Sequence, residues 1–125
     1  PYGSIDPPFD IAQLAAAAGA SFVGRTTVFH TPQLDKLIEQ ALQKKGFSLV
    51  EVLSQCPIAF GRRNKIPHPF ELMEFMKKGA VPFSKAKDMS PEELKGKFTT
   101  GVLADTDRPE YVEQYLKLCE KVQGS

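Results

Sequence analysis

Cys56 stands in "LSQCPIAFGRRNK" (53–65), at the end of an apolar run and directly before Pro57, with Arg62, Arg63 and Lys65 close behind. A thiolate in such a place can ligate a soft metal or a cluster, or attack as a nucleophile. The plainer alternative is a small, half-buried cysteine that packs as a hydrophobe. The three cations could clamp a phosphate or a carboxylate, arginine doing so with two parallel hydrogen bonds. They could equally be a solvated turn, or pair with acidic neighbours. Arg25 poses a different question, because it lies inside an apolar, β-branched stretch where an unpaired cation is costly. It calls for a carboxylate or carbonyl partner unless it faces solvent from an edge.

Other titratable residues carry less chemistry. His30 and His68 both precede predicted helix starts, and no second His, Asp or Glu stands at metal-ligand spacing. Asp6 and Asp10 flank Pro7-Pro8, and Asp10 fits a helix cap. Cys119 falls on the apolar stripe of a terminal helix and reads as core. No glycine-rich phosphate loop, nucleophile elbow or H-E-x-x-H motif occurs.

The elements that position these residues come from periodicity. "FDIAQLAAAA" (9–18) has helical spacing and ends at Gly19. "SFVGRTTVF" (21–29) reads as a strand. Thr31-Pro32 predicts a capping hydroxyl and a first-turn proline, opening a helix on Leu34, Leu37, Ile38, Ala41 and Leu42 that closes at Lys44-Lys45-Gly46. "FSLVEVLS" (47–54) has the near-continuous apolar pattern of a strand covered on both faces. Cys56 therefore lies just beyond the carboxyl end of a predicted parallel strand, the edge where ligands gather in open α/β sheets.

Beyond residue 61 the chain is broken by Pro67, Pro69, Pro82 and Pro91. It holds a helix at 69–79 with Phe70, Met73 and Met76 on one face, and a Ser90/Glu93 capping box. Next come a short strand at 97–103 and a terminal helix at 108–123. The fold class is α/β: residues 1–60 read as the closing half of a doubly wound domain, and 61–125 as an extension packed over it.

The chain has 125 residues, 42% of them hydrophobic and 25% charged, which is one globular domain's worth and argues against disorder. A net charge of +1 gives no global field toward nucleic acid or an acidic membrane. No apolar run approaches the roughly 20 residues of a membrane span, and "PYGSIDPPFD" is no signal peptide. The absence of an initiator Met suggests a segment of a longer chain. Two cysteines without tandem spacing favour a reducing, cytoplasmic setting.

"PPFDIAQLAAAAGASFVGRTTVFH", "QLDKLIEQALQKKGFSLVEVLSQCP" and "FGRRNK" together resemble the C-terminal part of the beta subunit of 2-oxoacid:ferredoxin oxidoreductases, most closely the 2-oxoglutarate type. "GVLADTDRPEYVEQY" is similar to that family's tail. The resemblance implies a thiamine-diphosphate-binding fold with Mg2+. It implies a 2-oxoacid decarboxylated oxidatively to an acyl-coenzyme A, and electrons passed through a [4Fe-4S] cluster to ferredoxin. It also implies an alpha subunit as partner and gives Cys56 the role of late cluster ligand. The cations Arg62, Arg63 and Lys65 would lower its pKa or make an anion or subunit contact. The family's Gly-Asp-Gly motif and early cysteines are absent, so these residues alone are expected to bind no complete cofactor and to be inactive. "PIAFGRRNKIPHP" departs from the family's usual Pro-Thr-Tyr-Phe form. The alternative is a non-catalytic module that docks a subunit or ferredoxin. A free-standing thiol enzyme is the weakest reading, because no His is placed as its base.

Overall fold

A computed structural model describes residues 5–66 and 68–124. Pro67, expected as a break, lies outside the described residues, as do residues 1–4 and Ser125. The first half forms α1 (Ile11–Ala17), β1 (Phe22–Thr27), α2 (Thr31–Gln43) and β2 (Ser48–Leu53). The second half adds α3 (Pro69–Gly79), β3 (Ala80–Pro82), α4 (Phe83–Ala86), α5 (Pro91–Leu94), β4 (Phe98–Asp105) and α6 (Tyr111–Gln123). Four strands make one mixed sheet in the order β2-β1-β4-β3.

The helix–strand–helix–strand reading holds, with β1 and β2 parallel from Phe22 opposite Ser48 to Thr27 opposite Leu53. The second half does more than pack over this unit. β4 pairs antiparallel with β1 and closes its second side, so every residue of β1 is buried. Alternation along β1 then gives each face its own helix. Val23 packs with Ala12 and Ala20 beside α1, whereas a Cβ on Gly24 would meet Leu37 of α2 at 2.9 Å. Thr26, on that same face, donates its hydroxyl to Gln33 Oε1 at 2.8 Å. Glycine at 24 lets α2 approach the sheet closely.

Four expectations need correction. β2 is half-buried rather than covered on both faces, because it forms the sheet's edge. Thr31 is the first residue of α2 and His30 holds the capping position without a side-chain cap bond; its Nδ1 instead lies 2.8 Å from Thr27 Oγ1. In α3 the buried residues are Leu72, Met76 and Gly79, while Phe70 is 75% exposed. No residue of α6 is buried, and Cys119 is only partly covered. The capping box at Ser90–Glu93 and the cap by Asp10, which accepts from Gln13 N at 2.8 Å, form as the sequence requires.

Arg25 finds two carboxylates. Its Nε donates to Glu51 Oε2 at 2.5 Å on β2, its Nη2 pairs with Asp10 at the start of α1, and Nη1 reaches Thr99 Oγ1 of β4 at 3.3 Å. Burial works to raise the Asp10 carboxyl pKa, but the Gln13 amide and the guanidinium outweigh it and hold the pKa below its ordinary value. The stabilisation from Asp10 is thus complete above its unfolded pKa and fades as pH falls through the depressed folded value. Arg25→Met should destabilise the fold by about 2–3 kcal/mol, since it strands two partly buried carboxylates. Denaturant unfolding checks this, and the loss should shrink under acid conditions where Asp10 is protonated in both proteins.

Candidate functional site

The site is the chain's exit from β2. Parallel pairing with β1 fixes where Leu53 ends, and Ser54-Gln55-Cys56 carries the chain off the sheet's carboxyl edge. Pro57–Gly61 then forms a single π-helical turn, closed by Gly61 N donating to Cys56 O at 2.8 Å. Such wide turns are rare and concentrate at functional sites. Proline can start this one because its missing N–H had no partner to serve there. Glycine must end it: a Cβ on Gly61 would lie 2.4 Å from the carbonyl oxygen of Ile66. Ile66 N returns to Gly61 O at 2.8 Å, and Asn64 Nδ2 donates to Phe60 O at 2.8 Å. Lys65 sits at φ +61, in the left-handed region.

Cys56 caps this turn. Its sulfur is exposed and accepts from Ala59 N at 3.3 Å. The amides of Phe60, Ala59 and Ile58 together push the thiol pKa below its ordinary value, for the same reason that anions collect at helix N-termini. This departs from the expectation in its cause: backbone N–H groups, rather than the neighbouring guanidinium groups, favour the thiolate. Arg62, Arg63 and Lys65 are exposed beyond the turn, and none forms an ion pair with a described residue. The structure thus brings the thiol and the Ala59 amide together and leaves the three cations exposed without an ion-pair partner among the described residues.

Sequence reasoning missed the amides of residues 58–60; the signal for them was Pro57 and Gly61 bracketing a single turn. An apolar hollow of about 190 Å³ borders the site, walled by Leu53, Phe60, Leu72, Phe75 and Phe98. Among the described residues no three His, Cys, Asp or Glu side chains gather as a metal site. Cys56 can therefore supply one thiolate to a metal or cluster and no more. Cys119 is a second free thiol, on α6.

Residues 1–52 match the family "Thiamine pyrophosphate enzyme, C-terminal TPP binding domain". The chain is 46% identical over 124 residues to the 2-oxoglutarate synthase subunit KorB of Methanocaldococcus jannaschii, covering 99% of this chain and 46% of that protein. It is 44% identical to the same subunit of Methanothermobacter marburgensis, over 99% of this chain and 44% of the relative. A solved 2-oxoglutarate:ferredoxin oxidoreductase from Magnetococcus marinus shares the fold, with a TM-score of 0.75 at 23% identity, over all of this chain and 43% of the solved one. The chain spans under half the length of the curated relatives it matches. The resemblance read from the residues, to beta subunits of the 2-oxoglutarate-type oxidoreductases, is borne out, as is the α/β thiamine-diphosphate fold class.

The origin of the acidic thiol is testable. Iodoacetamide alkylation of Cys56, tracked against pH, should show a midpoint below the ordinary cysteine range of about 8–9. Arg62→Gln with Arg63→Gln should leave that midpoint in place, whereas a downward shift lost in the double variant would transfer the effect to the cations.

Proposed function

We infer that this chain belongs to the thiamine-diphosphate-binding beta subunit of a 2-oxoglutarate:ferredoxin oxidoreductase and contributes Cys56 as a ligand of its iron–sulfur cluster. The observation that carries this is the exposed thiol just beyond the carboxyl end of a parallel strand, accepting from Ala59 N at 3.3 Å, in a chain similar along nearly its whole length to 2-oxoglutarate synthase subunits. Residues 1–60 are assigned to the closing half of the thiamine-diphosphate domain and 61–125 to the subunit's extension, which lends β3 and β4 to the same sheet.

The donor set fits a share in a cluster. A thiolate is the ligand such a centre needs, and the amides that stabilise it can equally donate to cluster sulfur, which tunes potential. When bound, thiamine diphosphate with Mg2+ supplies carbanion stabilisation for decarboxylating a 2-oxoacid to an acyl-coenzyme A, and a [4Fe-4S] cluster supplies one-electron transfer to ferredoxin. This chain's residues hold one thiol in place, fix its direction through the π turn and favour its thiolate form. The remaining cluster ligands and the residues for the diphosphate belong to the rest of the subunit, so these residues alone are expected to be inactive.

The partners under this reading are an alpha subunit, ferredoxin, coenzyme A and the 2-oxoacid, with neither nucleic acid nor membrane. Among the described residues no helix is long and apolar enough to cross a membrane. Two free thiols suit a cytoplasmic, reducing location. A docking role for 61–125 finds support in α6, whose Tyr115, Leu116 and Val122 are each more than half exposed on one apolar face.

The whole subunit with Cys56→Ala, assembled with its partners, should lose the visible absorption of the cluster and the electron paramagnetic resonance of its reduced form. Full retention of iron in that variant would remove the ligand role.

A further inference from the structure

We propose that the surface of residues 58–65 is the docking site for an electron-carrier protein with an acidic contact face. The proposal rests on the reading of Cys56 as a cluster ligand and adds where the acceptor binds. Arg62, Arg63 and Lys65 are exposed, and the chain has no acidic residue between Glu51 and Glu71 to neutralise them. Ion pairs elsewhere are formed by Arg25, Lys44, Lys45, Lys77 and Lys78. In a chain of net charge +1, this is a local concentration of positive charge on a balanced background.

Two further features mark a contact surface rather than a solvated turn. Ile58 is 72% and Phe60 44% exposed, so apolar side chains stand beside a cationic rim, the arrangement of protein interfaces, where arginine is enriched. The surface is also preorganised. The π turn, the Asn64 bond to Phe60 O and the return of Ile66 N to Gly61 O pin the backbone on both sides of the arginines. Little ordering entropy is then lost on binding. Electron-transfer complexes use small, short-lived contacts whose encounter rate is set by complementary charge. A cationic face directly after the turn that Cys56 caps brings an acidic carrier to the neighbourhood of the proposed ligand. A permanent subunit contact or a free-anion site are the other occupants such a patch could take, and the experiment separates them.

The test uses the complete enzyme carrying Arg62→Gln, Arg63→Gln and Lys65→Gln, with turnover measured by reduction of its ferredoxin and, in parallel, of methyl viologen, which needs no docking. The variant should lose about tenfold in kcat/KM for ferredoxin and lose most of its salt dependence, as expected when steering charges are removed. The methyl viologen rate, the cluster spectrum and the subunit composition should stay unchanged. A charge-conserving variant, Arg62→Lys with Arg63→Lys, should recover most of the ferredoxin rate. An unchanged ferredoxin rate would overturn the proposal, as would equal loss with both acceptors or release of a subunit. Loss of cluster absorption on removing the cations would also overturn it, while the Cys56→Ala spectrum judges the ligand assignment independently.

Discussion

The fold depends on how one buried cation is neutralised. Arg25 sits in the central strand, buried on both sides by neighbouring strands, and its guanidinium must meet negative charge within the structure. It does so by reaching three elements at once: Asp10 where α1 begins, Glu51 on β2 and Thr99 on β4. Asp10 meanwhile caps its own helix. A single planar donor group therefore fixes the approach of α1, the register of the edge strand and the seat of the late strand β4. An aliphatic residue at 25 could fill the space but could not specify those three placements, because apolar contacts carry no direction.

That constraint bears on the site through β2. This edge strand has neighbours on one side only, so β1 pairing and the Glu51 bond hold it in register. The segment after Leu53 is stiff for a separate reason. Pro57, the π turn and Gly61 form a compact corner in which Ala59 N donates to the Cys56 sulfur and the amides of the turn lower its pKa. With thiolate stabilisation provided by the backbone, the arginines and Lys65 are released from that task. The cations a few residues beyond the thiol thus stand apart from its stabilisation.

Much of this was legible in the chain. Helical spacing, the Asp10 cap and the Ser90–Glu93 box each set a local element through interactions only a few residues apart, and those appear where the sequence puts them. Arg25 could be read as needing a carboxylate, yet not which one, because Glu51 and Asp10 reach it through tertiary pairing. The half-buried state of β2 and the exposure of α6 were not legible either. An apolar stripe announces that a face is to be covered, without saying what covers it or whether the cover belongs to the same stretch of chain. Cys119 shows this well: its helical position reads as core, and the structure leaves it only partly covered. The source of the low Cys56 pKa was hidden for another reason. Amide direction is a property of backbone geometry, and residue types near a thiol advertise side-chain charge instead.

The uncovered faces also bear on what kind of object this chain is. Val52 on the edge strand, Phe47 before it and the α6 face of Tyr115, Leu116 and Val122 all remain substantially exposed. Isolated apolar residues at a surface need no explanation, but a run of them along a whole helix does. The curated relatives in Methanocaldococcus jannaschii and Methanothermobacter marburgensis are more than twice as long as this chain. The cationic turn differs from those faces in kind. Apolar faces suit permanent burial, because removing them from water is favourable at any encounter geometry. Arginine and lysine on a rigid loop are poorly suited to that, since burying three cations demands as many well-placed acids. They suit a partner that arrives, exchanges and leaves. The apolar faces are thus surfaces suited to staying closed, and the cationic turn proposed as a docking site is one suited to opening and closing.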